Sequence, residues 1–219
     1  MGINREEMNQ INILQDRGQG RPYIAFFENR DHYQEYLRNF KEFELKSSRT
    51  IIFECNPLSD LNWNNSYLEL TKTLDNLKIK QAAFITFGAT CTLIQNLALQ
   101  DLKSVRTIVF IDATCRPHPS KLMRIADKIE DSLPLGLPLR MQNQSFDAKP
   151  FLHRIRCPVL VVITDKASGY QREQAAVLAA GLPSAWSVEV KDSFDLGEFA
   201  RMIEDFQEVP VKCSQKNIR

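Results

Sequence analysis

The chain has 219 residues, with 28 lysines and arginines against 27 aspartates and glutamates, which gives a net charge of +1. This length predicts a single domain, and the balanced charge argues against nucleic acid as a partner. The longest apolar stretch, Pro158–Ile163, is far shorter than the ~20 residues that a membrane-spanning helix needs. We therefore expect one soluble domain over residues 1–219, without membrane or nucleic-acid partners.

The N-terminal segment and the cysteines both favour a cytoplasmic protein. Residues Met1–Gln10 are polar and charged and lack the apolar core of a signal peptide. The 5 cysteines are widely spaced and include no Cys-x-x-Cys pair, so neither a disulfide framework nor a zinc knuckle is predicted. We expect reduced thiols, no bound metal and no other cofactor.

Short β-branched and aromatic runs alternate with segments of helical period along the chain, as in folds whose helices cross over between parallel strands. The predicted strands are Ile11–Leu14, followed by a turn at Asp16–Gly20, and then Tyr23–Phe27, Thr50–Glu54, Ala82–Phe87, Thr107–Ile111, Val159–Thr164 and Trp186–Val190. The predicted helices are Asp31–Phe43, Ser66–Leu77, Cys91–Leu99, Ser120–Ser132, Gln171–Ala180 and Leu196–Phe206. Most strands are nearly continuous in apolar residues, which is typical of strands covered on both faces. The sequence predicts an α/β fold with a mostly parallel, doubly wound sheet flanked by helices.

One region breaks this rhythm. Residues 133–152 contain Pro134, Pro138 and Pro150 and a polar Gln-Asn-Gln run at 142–144. Proline-rich stretches of this kind are typical of loops. We expect a short excursion or small lid here, which either covers a site, binds a partner or packs as an ordinary loop.

Residues Phe84–Leu93 run from an apolar strand through glycine into a helix, with Gly-Ala-Thr-Cys-Thr at 88–92. This segment resembles the nucleophile elbow of the α/β hydrolases, where Gly-x-Ser-x-Gly lifts the serine oxygen above the sheet on a strained turn. Tyr23–Phe27, Thr107–Asp112 and Ile155–Ile163 resemble other strands of that family, in the same order. The resemblance spans about Ile11 to Val209 and implies an α/β-hydrolase-like three-layer sandwich with little or no lid.

The resemblance also implies where a catalytic triad would lie, and the chain departs from the family at each place. Thr90 occupies the nucleophile position and Thr92 the second glycine; the alternative role of Thr90 is to cap the following helix. Asp165 follows the strand that precedes the catalytic acid, although it comes early. No histidine occurs in Val190–Asp195, where the family has its general base. The 3 histidines are His32, His118 and His153.

A relocated catalytic set is the competing possibility. Cys91 lies at the start of a helix, where the dipole lowers the pKa of a thiol, and Asp112 and His118 follow the neighbouring strand. The simpler interpretation of Cys91 is a small hydrophobic side chain that packs inward.

Parallel sheets bind ligands beyond the carboxyl ends of their strands. The candidate ligand-binding residues at this edge are Glu28, Asn29, Arg30, Cys55, Asp112 and His118. Arg30 has the planar fork that binds a carboxylate or phosphate, or else it pairs with a neighbouring acid. The sequence favours a pseudoenzyme without Ser-His-Asp catalysis that binds a small molecule or a protein. The alternative is a divergent ester or thioester hydrolase with Thr90 or Cys91 as nucleophile.

Overall fold

The computed structural model describes residues 11–27, 33–34, 48–55, 63–115, 147–190, 201–203 and 205–206. The strands are β1 (Ile11–Gly18), β2 (Arg21–Phe27), β3 (Ser48–Cys55), β4 (Ala82–Phe87), β5 (Val105–Ile111), β6 (Val159–Thr164) and β7 (Ala185–Val190). The helices are α1 (Trp63–Asn76), α2 (Cys91–Gln100) and α3 (Gly169–Gly181), and short 3₁₀ segments lie at Gly88–Thr90, Leu102–Ser104 and Lys149–Arg154. Each predicted strand is confirmed.

The strands form one 7-stranded sheet in the order β1-β3-β2-β4-β5-β6-β7. β1 pairs with β3 in antiparallel orientation, and every other pair is parallel. The order runs outward from β2 and β4 in both directions, as expected of a doubly wound sheet. The predicted mostly parallel α/β fold is therefore confirmed, and the sheet is open rather than closed into a barrel.

Alternate residues of the central strands enter two different cores. On β2, Ile24 and Phe26 belong to one buried cluster, whereas Tyr23, Ala25 and Phe27 belong to the other. The first cluster also contains buried residues of α1, α2 and α3, and the second includes Ile203 and Phe206 from the C-terminal part of the chain. Both faces are covered, which explains why the strands are continuous in apolar residues rather than alternating.

The first strand is longer than predicted. β1 continues through Asp16 and Arg17 to Gly18, so the predicted turn at Asp16–Gly20 is confined to its last residues. The extension is held by Arg49 of β3, whose guanidinium donates to both carboxylate oxygens of Asp16 at 2.9 and 2.7 Å. The hydrogen bond from Arg49 lowers the pKa of Asp16, which keeps the pair charged. Cross-strand pairing therefore overrides the local turn preference.

Three predicted helices and most of the proline-rich excursion lie mainly outside the described residues. The helices are Asp31–Phe43, Ser120–Ser132 and Leu196–Phe206, and only the end of the 133–152 region is described, where the 3₁₀ segment Lys149–Arg154 begins. Within the described ranges, no helix is both long and apolar enough to cross a membrane. The organisation as one domain stays a prediction.

We expect Gly18→Ala to destabilise the protein, because Gly18 has a φ of +81° and an added methyl group would collide with the carbonyl oxygen of Ser48. The left-handed backbone alone contributes about 1 to 3 kcal/mol of loss. Gly169→Ala is the matched control: Gly169 begins α3, and nothing lies within 4 Å of an added Cβ. We expect it to be neutral or to stabilise by about 0.4 to 1 kcal/mol. Urea unfolding measures both changes, and similar losses in the two variants would contradict this account.

Candidate functional site

The carboxyl ends of the parallel strands define the candidate site. β2, β4, β5 and β6 are mutually parallel and end at Phe27, Phe87, Ile111 and Thr164, so these ends lie at one edge of the sheet. The residues that follow β4, β5 and β6 are described at 88–91, 112–115 and 165–168. Ligands of open α/β sheets bind beyond this edge, because loops rather than paired strands occupy it.

The turn from β4 into α2 has its left-handed residue at Gly88. Gly88 has a φ of +54°, in the left-handed region that glycine adopts without steric cost. Thr90, two places later, has φ −64° and ψ −16°, which is ordinary right-handed helical backbone. Sequence reasoning recognised Gly88 only as the first glycine of the motif, because a sequence shows which residue tolerates a positive φ but not which residue adopts it.

Thr90 is completely buried, and its hydroxyl makes its hydrogen bonds within the protein. Its Oγ1 donates to the carbonyl oxygen of Phe87 at 2.8 Å, accepts from the Phe87 N–H at 3.2 Å and lies 3.4 Å from the carbonyl oxygen of Phe26. The side chain makes no capping hydrogen bond to α2, so the alternative role of Thr90 as a helix cap is wrong. The hydroxyl instead closes the turn back onto the end of β4.

Cys91 also points into the protein. It is completely buried, belongs to the core cluster beneath α2, and its Sγ accepts a hydrogen bond from Thr86 Oγ1 at 3.1 Å. A nucleophilic thiolate needs partial exposure and an electropositive neighbourhood. The structure places the Cys91 thiol in apolar surroundings, as the simpler interpretation of this residue expected.

Asp112 joins the ends of two neighbouring strands. Its Oδ1 accepts from the Thr164 N–H at 2.8 Å, and its Oδ2 accepts from Thr164 Oγ1 at 2.6 Å. Its carbonyl oxygen accepts from Gln171 Nε2 of α3 at 3.2 Å. Asp112 has a φ of +48°, which is unusual for a residue with a side chain. These bonds hold the strained backbone in place, since such strain persists only where the surroundings enforce it.

The loop after β6 is held by hydrogen bonds from the first turn of α3. Ser168 caps α3 by accepting from the Gln171 N–H, and Gln171 Oε1 accepts from the Ser168 N–H in return. Arg172 Nη2 donates to the carbonyl oxygens of Thr164 and Asp165 at 2.9 and 3.3 Å. The Asp165 side chain is exposed on this loop. We call the set Asp112, Thr164 and Gln171 the strand-end clamp. Sequence reasoning missed Thr164, which has no sequence signal, and Gln171, whose only signal is the Ser-x-x-Gln capping box that begins at Ser168.

The other predicted site residues are partly outside the described ranges. Glu28, Asn29, Arg30 and His118 lie among the residues that are not described. Cys55, at the end of β3, is completely buried in the core. His153 is exposed on the 3₁₀ segment that precedes the amino end of β6, so it lies at the opposite edge of the sheet from Thr90. In the described ranges, no group of three or more His, Cys, Asp or Glu side chains forms a metal-binding cluster.

The carboxyl edge has an aromatic wall. The rings of Phe27 and Phe87 are stacked with centroids 4.7 Å apart, and Tyr33 packs against Phe27 at 5.3 Å. Phe87 immediately precedes Gly88 and is partly exposed. Small-molecule sites are lined mainly by apolar and aromatic side chains, with a few fixed polar groups. Phe27 and Tyr33 are buried, so Phe87 is the ring of this wall that a ligand at the edge contacts.

The clamp gives a prediction with a matched control. Thr164→Val removes the hydroxyl that donates to the Asp112 carboxylate, and we expect a loss of about 1.5 to 3 kcal/mol in unfolding free energy. Thr114→Val removes a buried hydroxyl of the same size whose Oγ1 has no hydrogen-bond partner in the described structure. We expect that variant to be neutral or stabilised. Urea unfolding of both separates the effects, and equal losses would mean that the clamp contributes no net stability.

The cysteines give a second prediction. Cys55, Cys91, Cys115 and Cys157 are all buried, and burial raises the pKa of the Cys157 thiol to about 12. The reactive thiolate of Cys157 is therefore scarce below that pH. At pH 8 we expect a thiol reagent to leave these cysteines unmodified in the folded protein and to label all of them after unfolding in urea. Peptide mass spectrometry assigns the labels; rapid labelling of Cys91 in the folded protein would contradict its burial.

Comparisons with known proteins agree with this architecture. No protein-family model and no curated protein sequence matches the chain. Solved structures do match: the meta-cleavage product hydrolase from Pseudomonas fluorescens IP01 has 13% sequence identity and a TM-score of 0.64, with 90% of this chain and 93% of that chain covered. The enol-lactonase from Burkholderia xenovorans LB400 has 14% identity and a TM-score of 0.63, with 90% and 95% covered. An α/β hydrolase from Sphaerobacter thermophilus DSM 20745 has 13% identity and a TM-score of 0.63, again with 90% and 95% covered.

Proposed function

We propose that this chain, which has the fold of the α/β hydrolases, binds a small molecule at the carboxyl edge of its sheet without acyl transfer. Structural neighbours with this fold are mostly enzymes by name. Fold alone does not decide activity, because chemistry depends on the side chains at the site. The proposal therefore rests on what occupies the turn between β4 and α2.

The observation that carries the proposal is that the left-handed residue of this turn is a glycine. In a nucleophile elbow the strain lifts the nucleophile's side chain above the sheet. Here the left-handed residue is Gly88, which has no side chain to lift. The nearest candidates, Thr90 and Cys91, are buried, and their oxygen and sulfur atoms are hydrogen-bonded within the protein. Neither has the exposure that attack on a bound ester requires.

The place of His153 and the lack of a histidine directly after β7 support the same proposal. Acyl transfer of this kind needs a general base within hydrogen-bond reach of the nucleophile. The residues after β7, Lys191–Asp195, contain no histidine, and His153 lies at the opposite edge of the sheet. The alternative function, an ester or thioester hydrolase with Thr90 or Cys91 as nucleophile, has no geometric support among the described residues.

A binding role is supported by what remains at the edge. The strand-end clamp fixes the backbone beyond β5 and β6, and the Phe27–Phe87 stack provides a partly exposed apolar surface beside Gly88. A rigid site loses less entropy when a ligand binds than a flexible site does. The apolar wall indicates a ligand with an aromatic or aliphatic body.

Acyl-ester hydrolysis is the direct test. We expect p-nitrophenyl acetate, butyrate and hexanoate and an acetyl thioester to be hydrolysed by wild type, Thr90→Ala and Cys91→Ala only at the rate of the buffer blank, because neither Thr90 nor Cys91 is exposed. Circular dichroism checks that both variants fold. A wild-type rate above the blank that either substitution abolishes would overturn the proposal and favour the hydrolase.

Binding is tested separately with a fragment library of aromatic and aliphatic acids, amides and esters, screened by saturation-transfer NMR. We expect a fragment that binds at the carboxyl edge to lose its saturation-transfer signal with the Phe87→Leu variant and to keep it with the Trp186→Leu variant. Trp186 is the control because it is an exposed aromatic residue on β7, at the far side of the sheet from β4. The absence of any hit sensitive to Phe87 would refute binding at this edge.

A further inference from the structure

A second concave surface lies away from the carboxyl edge. It is formed by Asn96, Leu99 and Gln100 at the end of α2 and by Phe151 and Arg154 of the 3₁₀ segment, and we call it the α2 groove. It is a shallow depression of about 480 Å³ that is largely open to solvent. The 3₁₀ segment precedes the amino end of β6, so the groove is separate from the site at the strand ends.

The polar side of the groove holds an oriented amide. Gln100 Nε2 donates to Asn96 Oδ1 at 2.7 Å, which assigns the Asn96 oxygen to this bond and leaves its Nδ2 hydrogens as donors. The Asn96 side chain is only 5% exposed, and within the described part of the chain Nδ2 makes no hydrogen bond. The Nδ2 atom is not sealed from solvent, so water satisfies it in the free protein and a bound ligand takes the place of that water.

Arg154 adds a positive charge beside this amide. It is exposed and, among the described residues, makes no ion pair or hydrogen bond. The segment 149–156 carries Lys149, Arg154 and Arg156 and no acidic residue. The nearest acids in sequence are occupied within their own turns: Asp101 accepts from Ser104 Oγ, and Asp147 accepts from the Lys149 N–H. The charge of Arg154 is therefore available to an anion.

The apolar side of the groove is an exposed ring. Phe151 is 44% exposed, and Leu99 on the facing helix is partly buried. An aromatic ring, a guanidinium and an amide donor around one cavity match the chemistry of a carboxylate attached to an apolar body, because arginine binds carboxylates through charge-assisted hydrogen bonds and aromatic rings pack face to face or edge to face.

We propose that the α2 groove binds a small carboxylate with an aromatic or branched apolar body. The carboxylate accepts hydrogen bonds from Arg154 and Asn96 Nδ2, and the apolar body packs against Phe151 and Leu99. This proposal does not depend on the function of the carboxyl edge, since it shares no residue with Gly88, the clamp or the aromatic wall. The carboxylate is either that of a free small acid or the C-terminal carboxylate of a peptide.

The test is a ¹H–¹⁵N NMR titration of the whole chain with phenylacetate, neutral phenylacetamide and an acetylated Ala-Phe dipeptide with a free or an amidated C-terminus. We expect phenylacetate to shift the amides of Asn96, Leu99 and Gln100 and to bind about tenfold more tightly than phenylacetamide. Tighter binding of the free-acid dipeptide than of phenylacetate assigns the site to peptide ends, and equal or weaker binding assigns it to free acids.

Two arginine variants test whether Arg154 supplies the charge that binds the carboxylate. Arg154→Gln removes the groove cation, and we expect about a tenfold loss of phenylacetate affinity. Arg156→Gln removes an equally exposed cation two residues away, and its affinity should stay within about twofold of wild type. Equal losses in the two variants, equal binding of phenylacetamide, or no shift at about 10 mM phenylacetate would overturn the proposal.

Discussion

Burial of the central strands on both faces is the constraint on which the rest of this structure depends. A strand with helices above and below it has no polar face, so every backbone N–H and C=O must be paired within the sheet and the side chains must be apolar. β2 and β4 meet this requirement, with Phe26 and Phe84 in one core and Phe27 and Ile85 in the other. Polar and ionisable side chains are therefore confined to the ends of these strands, where loops begin.

The strand ends show how strain and hydrogen bonding share this edge. Gly88 takes a left-handed conformation between β4 and α2 without cost because it lacks a Cβ, whereas Asp112 takes one at a cost that its bonds to Thr164 and Gln171 offset. The first turn has no side chain at its left-handed residue, and in the second both carboxylate oxygens of Asp112 accept hydrogen bonds from Thr164 of β6. Both arrangements favour a shaped, stable edge over a reactive one.

The α2 groove lies at the other end of the same helix that begins at this edge. α2 is buried along most of its length, so its last turn, with Leu99 and Gln100, is where the helix meets solvent. The helix therefore links two surfaces of different character: an edge with an aromatic ring beside Gly88 and a basic, amide-lined groove beside Arg154. Two such surfaces on one rigid element are chemically suited to different ligands.

The sequence by itself determined where the strands lie along the chain, because a doubly buried strand must be an unbroken apolar run such as Val159–Thr164, and such a run can be recognised from the sequence alone. It also determined that no histidine follows β7. Only the tertiary structure decided which residue of the β4–α2 turn has a left-handed backbone and that Thr90 and Cys91 point inward. It also decided that Asp112 bonds to Thr164, 52 residues away. The physical reason is that burial along a strand follows from local composition, whereas side-chain direction and hydrogen-bond partners at the strand ends depend on segments that meet only when the sheet forms.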